Sequence, residues 1–231
     1  MRDWPDDRYY RNPSRRAYNW SLRAPLARWL EDEGRAASGL RVLDVGCGKK
    51  PYLPFFSSAL EYVGVDIAES PLVDIQGAIE ELPVADASYD LVLCIQVLEH
   101  VEDPARAAAE LYRVVKPGGR VLVATHGVYV YHPGPVDYWR WTHTGLERLF
   151  RTNGEWSSVS VTPGAGTTAC LGLLLGHYID LLAYRMHAQW AGRLVAGAIN
   201  SAAAAIDGRS ARLREPVPGS LTTNFHVALT R

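Results

Sequence analysis

From Arg41 to Thr125, short apolar runs recur between polar loops and a helical stretch: Arg41–Val45, Tyr62–Asp66, Leu72–Ile75, Asp90–Ile95 and Arg120–Thr125. Each is rich in Val, Ile or Leu and barely alternates, the pattern of strands buried on both faces. Between the fourth and fifth runs, Asp103-Pro104 opens a helical pattern that reaches Val115 and meets Pro117-Gly118-Gly119 as its stop. Strands alternating with helices predict a doubly wound α/β domain with a mainly parallel sheet and right-handed crossovers. Such sheets bind ligands at the carboxyl ends of their strands, here after Val45, Asp66, Ile95 and Thr125.

Upstream, a polar, aromatic-rich arm reaches about Pro13, and a helix is predicted over Ser14–Glu33. Ser14 serves as its N-cap, Leu22, Leu26, Trp29 and Leu30 recur at helical spacing, Pro25 is a kink point and Gly34 the stop. Downstream, Thr144–Thr152 reads as a helix, Glu155–Val161 as a strand and Thr223–Thr230 as the last strand. Between these strands lies an insertion, residues 167–213, with two apolar stripes at helical spacing. Leu171, Leu174, Tyr178 and Leu182 form one, and Val195, Ile199, Ala202 and Ile206 the other. The expected organisation is an arm and helix over 1–40, then one domain over 41–231 that includes this helical hairpin. The hairpin is expected to roof an acceptor pocket and to form a homodimer contact; peripheral membrane contact is an alternative use.

Composition narrows the function classes. With 231 residues and a formal charge of -1, the chain offers no general field for a polyanion, so no nucleic-acid partner is expected. Basic residues at Arg8, Arg11, Arg15, Arg16 and Arg23 alternate with aromatics and acids rather than forming a run. Cys47, Cys94 and Cys170 are odd in number and none forms a C-x-x-C pair, which predicts neither a disulfide framework nor a metal site. No apolar signal core and no uninterrupted run of ~18 apolar residues stands in the sequence, so a soluble, cytoplasmic protein without a transmembrane segment is expected.

The first strand leads into Asp44-Val-Gly46-Cys-Gly48-Lys-Lys-Pro51, a glycine turn that lets a ligand approach the backbone. Asp66 follows at about the ~20-residue interval of an acid that binds ribose hydroxyls. A nicotinamide dinucleotide is disfavoured, because Asp44 would face its pyrophosphate and Pro51 stands where the third glycine belongs. S-adenosyl-L-methionine carries an ammonium and a sulfonium and no phosphate, so Asp44 becomes favourable, while Lys49 or Lys50 is placed to face its carboxylate.

Five motifs then stand in order: Val42-Leu-Asp-Val-Gly-Cys-Gly48, Val63-Gly-Val-Asp66, Glu81-Leu-Pro-Val84 through Ser88-Tyr-Asp90, Val97-Leu-Glu-His-Val101 and Val115-Lys-Pro-Gly-Gly119. Together they resemble the class I methyltransferases of the type 11 group. The resemblance implies a seven-stranded sheet whose last strand inserts antiparallel. It also implies S-adenosylmethionine across the carboxyl ends of the first, second and fourth strands. Gly46, Cys47 and Gly48 would then approach the methionine part, and Asp66 would accept from the ribose. Ile67, Ile79 and Glu80 would lie at the adenine, and Cys94 and Gln96 beside the methionine end. Two features depart from the pattern: Ile67–Leu72 is too short for the usual helix, and Ala78 stands where many relatives place an acid.

The resemblance implies methyl transfer to a small-molecule acceptor, at oxygen or nitrogen; a non-catalytic cofactor-binding or scaffold protein is the alternative. The segment after the fifth strand is dense in candidates, with His126 as expected base and Asp137 or His132 behind it. The bland use of the same segment is structural: Trp139 and Trp141 as buried wall, Arg140 paired with Asp137, and Glu99-His100 as a cap.

Overall fold

The computed structural model describes residues 8–231; the first seven residues of the predicted arm lie outside the described residues. Helix α1 (Arg8–Arg11) and helix α2 (Trp20–Arg35) precede β1 (Arg41–Val45), β2 (Glu61–Asp66), β3 (Ile75–Gln76) and β4 (Tyr89–Ile95). Then come α3 (Pro104–Val114), β5 (Val115–His126), α4 (His143–Thr152), β6 (Ser158–Pro163), α5 (Thr167–Arg185), α6 (Gln189–Arg209) and β7 (Asn224–Thr230). The seven strands form one sheet in the order β3-β2-β1-β4-β5-β7-β6. Strands β1 to β5 pair in parallel, with Leu43 opposite Val63 on one side and Val92 on the other. At one end of β5, Gly118 N–H donates to the Arg231 carbonyl; beyond its other end, Gly127 N–H donates to that of Thr223. This opposite progression makes β7 antiparallel, as the resemblance implied.

Several boundaries differ from the sequence pattern for local reasons. Ser14 does not cap a helix: its Oγ accepts from Arg16 N–H, and two turns carry the chain to Trp20, where α2 begins with Pro25 inside it. The predicted third strand, Leu72–Ile75, is shortened and displaced to Ile75–Gln76, because Val73 N–H closes a turn onto Ser70 and the Asp74 carboxylate is used to accept from Gly64 N–H. Helix α3 starts as expected, with Asp103 Oδ1 accepting from Ala105 and Arg106 N–H. It stops at Val114, before Pro117, because Val115 is already extended and paired with Tyr89; Pro117-Gly118-Gly119 belong to β5. Helix α4 begins one residue earlier than predicted, with Thr142 Oγ1 accepting from Gly145 N–H. Strand β6 begins three residues later than the pattern suggested.

Two compact units are distinguishable. One combines residues 30–126, 131–162 and 225–231 and holds the sheet with α3 and α4. Its core is built from Leu43, Val92, Val123, Leu111, Phe150 and Val227, among others, in mutual contact. Arg231 completes the end of α3 by donating to the carbonyls of Tyr112, Arg113 and Val115. The other unit combines the described residues up to Trp29 with 127–130 and 163–224. The expected boundary at residue 40 is not an edge of either unit, since the division falls inside α2.

Within this second unit, α5 and α6 form the expected hairpin, and most members of the two apolar stripes face outward, although Ile199 lies against Gly172. Leu171, Tyr178, Leu182, Val195 and Ile206 are exposed, Leu171 by 52%. The buried positions are small or polar: Ala169, Cys170, Gly172 and Gly176 on α5, and Gly192, Ala196, Asn200 and Ala203 on α6. A Cβ at Gly192 would sit 2.7 Å from that of Ala183, so close backbone approach decides which face turns inward. The buried polar groups have partners there. Asp207 accepts from Thr168 and Ala169 N–H at the start of α5, and Asn200 donates to the carbonyls of Arg15 and Ala17.

His226, buried in β7, has its pKa held down to about 4 because burial penalises the imidazolium. The unfolded chain binds this proton near pH 6.5, so the native state loses stability as pH falls from 6.5 toward 4, by about 2 kcal/mol at pH 5 relative to pH 8. Denaturant unfolding of wild type and His226→Gln from pH 8 to 5 is expected to show this loss in wild type only; parallel curves would refute it.

Candidate active site

The predicted crevice residues gather at the carboxyl ends of β1, β2 and β4. Directly after β1, Gly46 and Gly48 adopt positive φ (70° and 51°), a conformation that glycine supplies without strain. Val65 carbonyl accepts from the N–H of both Gly46 and Cys47, at 2.8 and 3.1 Å, so β2 holds the turn in place. A Cβ on Gly46 would lie 2.2 Å from Val97 Cγ2, whereas none of the surrounding atoms approaches the corresponding position on Gly48. Asp66 closes the arrangement: Oδ2 accepts from Gly48 N–H and Oδ1 from Ala68 N–H, each at 2.9 Å. A carboxylate has about four acceptor positions, so both oxygens retain capacity toward further donors.

Asp44 is buried one strand away, with Tyr62 O–H donating to Oδ2 at 2.6 Å. Burial pushes its pKa up to about 7, against the lowering effect of Tyr62 and Lys50. Lys50 is turned away from the turn and pairs with Asp74 at 2.5 Å, leaving Lys49 as the exposed lysine. Of the two thiols named from the sequence, Cys47 faces Gly64, where an added Cβ would meet its Sγ at 2.6 Å, and Cys94 is buried in the sheet core. Burial raises both thiols, Cys47 to about 12, so neither is poised as a nucleophile. Their side chains belong to packing and only their backbone borders the strand ends. Gln96 follows β4 with φ 59° and donates its N–H to the Ala124 carbonyl. Ile67 is exposed just past β2, Ile79 is buried, and Glu80 accepts from Glu102 N–H.

After β5, His132 packs on His126, the expected base, and Asp137 lies beside His132. His126 is only 3% exposed, with Nε2 3.3 Å from Glu99 Oε1. Glu99 is wholly buried, accepts from Thr125 Oγ1 at 2.9 Å, and has its pKa pushed up to about 7 by burial. The carboxylate against His126 is Glu99, while Asp137 stands behind His132, with its Oδ2 3.5 Å from His132 Nδ1. Asp137 is held by both terminal nitrogens of Arg140, at 2.5 and 2.6 Å, and accepts from His132 N–H, which keeps its carboxyl well below the usual range. His132 meets the His126 ring edge-on at 5.0 Å and the His100 ring at 5.1 Å. Its side chain is 32% exposed, so of the His126–His132 pair it is the imidazole that solvent reaches. Glu99 was visible in the sequence as half of Glu99-His100; only the fold brings it 27 positions forward onto His126.

Donor atoms of Glu99, His100 and His132 converge within 4.8 Å, an N/O set compatible with a divalent cation. Protein contacts already engage this set: His100 Nδ1 meets the Val136 carbonyl and Glu99 meets Thr125 and His126. Of the tryptophans in the expected wall, Trp141 packs against the core, while Trp139 departs from it. Trp139 stacks on Trp141 at 5.7 Å and is 39% exposed, with Tyr131 and Tyr138 exposed in the same segment.

Residues 43–123 match a family model described as a methyltransferase domain. That stretch is about a third of the chain, and the match agrees with the resemblance to the class I methyltransferases of the type 11 group. The chain is 37% identical over 108 residues to a probable S-adenosylmethionine-dependent methyltransferase of Mycolicibacterium smegmatis, covering 42% of each chain. It is 39% identical over 117 residues to a ubiquinone biosynthesis O-methyltransferase of Hahella chejuensis, covering 44% of this chain and 49% of that one. The matches thus span less than half the length of these curated relatives. Among solved structures, a SAM-dependent methyltransferase from Archaeoglobus fulgidus shares the fold with a TM-score of 0.57 at 12% identity, over 97% of both chains. One from Mesorhizobium loti does so with 0.54 at 16% identity, over 91% of this chain and 100% of that one.

Proposed function

We propose that the protein is an S-adenosylmethionine-dependent methyltransferase acting on the oxygen or nitrogen of a small-molecule acceptor. The observation that carries this reading is the Gly46–Gly48 turn locked onto Asp66, with a buried acid, Asp44, beside it. The residues suit the group. Bare backbone at Gly48 admits close approach, Asp66 keeps acceptor capacity for a diol, and exposed Ile67 offers an apolar surface to a flat ring. Asp44 favours a cationic ligand over a phosphate, which a nicotinamide dinucleotide would bring.

S-adenosylmethionine supplies, when bound, a methyl carbon activated by its sulfonium. The chain's contribution is orientation, worth roughly 7–11 kcal/mol for well-aligned reactants, and a proton acceptor where the acceptor needs one. We assign that acceptor to the two imidazoles after β5: His132, reached by solvent, takes the proton or passes it to His126, whose Nε2 rests on Glu99. Tyr131, Tyr138 and Trp139, exposed in the same segment, favour an acceptor with a planar ring. The O-methyltransferase names of several relatives agree with an oxygen atom as the site of transfer.

Asp66→Ala removes a charged acceptor from two ligand hydroxyls, a loss of about 1.5–3 kcal/mol; calorimetry with S-adenosylhomocysteine should read a 10-fold or larger drop in affinity. Unchanged affinity would refute the assignment.

Asp44 binds a cation only when ionised, and its pKa lies near 7, so affinity for S-adenosylhomocysteine should rise about tenfold from pH 6 to pH 8. The same titration on Asp44→Asn should be flat. A wild-type profile without that rise would exclude Asp44 from the ligand's ammonium.

Replacing His132 or His126 by alanine should leave S-adenosylhomocysteine affinity intact while turnover on an acceptor falls by about 10²–10⁴. Full turnover in both variants would exclude these imidazoles as the base.

A further inference from the structure

The α5–α6 hairpin turns large apolar side chains outward at the end that carries its turn. Tyr178, Leu181 and Tyr184 from α5, Met186 from the turn, and Trp190 and Leu194 from α6 are all exposed, Met186 by 74% and Trp190 by 71%. Side chains of this size cluster on a surface when something covers them. The charges at the same end are two arginines, Arg185 and Arg193, against one acid, Asp180. A cavity of about 670 Å³ opens there, lined by Arg16, Tyr18, Asp180, Tyr184, Gln189 and Arg193. Arg16 lies along α6 one turn beyond Arg193, since a Cβ on Gly197 would meet its Cγ at 3.3 Å. Two guanidiniums therefore share one concave site with tyrosines, beside a rim of Trp, Met and Leu.

We propose that this end of the hairpin docks on an anionic lipid bilayer. Trp190, Met186 and Tyr184 enter the boundary between headgroups and acyl chains, and Arg16 and Arg193 take lipid phosphates. Tryptophan and tyrosine concentrate at that boundary because one part of each ring system is apolar and the other polar. Arginine matches phosphate through paired N–H donors. A second copy of the chain fits less well, because a two-fold contact would bring Arg185 and Arg193 of both protomers into one interface with only Asp180 of each to offset them. Helix α5 is long and apolar enough by length and composition to cross a bilayer. Its Gly172 and Gly176 side is, however, occupied by Ile199 and Tyr18, which keeps the helix in the hairpin and on the membrane surface.

Flotation of the full chain with phosphatidylcholine vesicles, with and without phosphatidylglycerol, tests the proposal. Binding is expected only with phosphatidylglycerol, and it should weaken as salt screens the charges. Arg193→Ala should reduce partitioning about fivefold, from about 1 kcal/mol per surface arginine. The double variant Met186→Asp, Trp190→Asp should abolish it while leaving the thermal unfolding midpoint unchanged, both side chains being exposed. Three results would overturn the proposal: no binding to either vesicle, equal binding to both, or resistance of the bound protein to alkaline carbonate, which marks a spanning helix. A dimer in sedimentation velocity that the double variant dissociates, without vesicle binding, would make this face a subunit interface instead.

Discussion

The N–H groups that follow β1 are held by the end of β2, and the candidate site depends on that attachment. Val65 carbonyl takes Gly46 and Cys47, and the Asp66 carboxylate takes Gly48. Behind the turn, Cys47 Sγ and the Lys50 stem fill the space where a side chain on Gly64 would project, and Asp74 ties Lys50 to Gly64 N–H. These bonds fix the turn's backbone from within the protein, which lowers the ordering cost of binding. Each glycine has a separate reason: positive φ at Gly46 and Gly48, close packing at Gly46 and Gly64.

Three carboxylates near the strand ends show how environment divides like groups. Asp44 and Glu99 are buried, each hydrogen-bonded by one hydroxyl, from Tyr62 and Thr125, and burial raises both toward neutrality. Asp137 has an equally hidden side chain, yet the fork of Arg140 keeps it ionised. The first two are the acids whose charge responds to what approaches them; Asp137 instead fixes the path of the segment carrying His132. That division supports a role for Glu99 behind His126 and leaves Asp137 as a positioning residue.

In the hairpin, small residues decide orientation. Gly172 lies against Ile199 and Ala203, and Gly192 against Ala183, so the backbones approach where side chains are least bulky. Bulky residues on those faces would hold the helices apart and deprive Asp207 and Asn200 of the backbone groups they now satisfy. The large apolar side chains consequently point outward, and the hairpin contributes an apolar surface instead of a second core.

The sequence by itself determined the strands of the parallel sheet, the cap of α3 and the turn with Asp66, because each is written in contiguous residues: unbroken apolar runs, Asp103-Pro104, and glycines followed by an acid at a fixed interval. It was also sufficient to mark the segment after β5 as dense in ionisable groups. Tertiary structure decided the rest. Lys50 goes to Asp74, Cys94 into the core and Glu99 onto His126, because these outcomes depend on which strand ends lie side by side. Which side of the hairpin turns inward is decided in the same way. Helical spacing identifies two faces of a helix, but which one is buried depends on how near a neighbouring backbone can come, and Gly192 and Ala183 allow that approach on the side without large side chains.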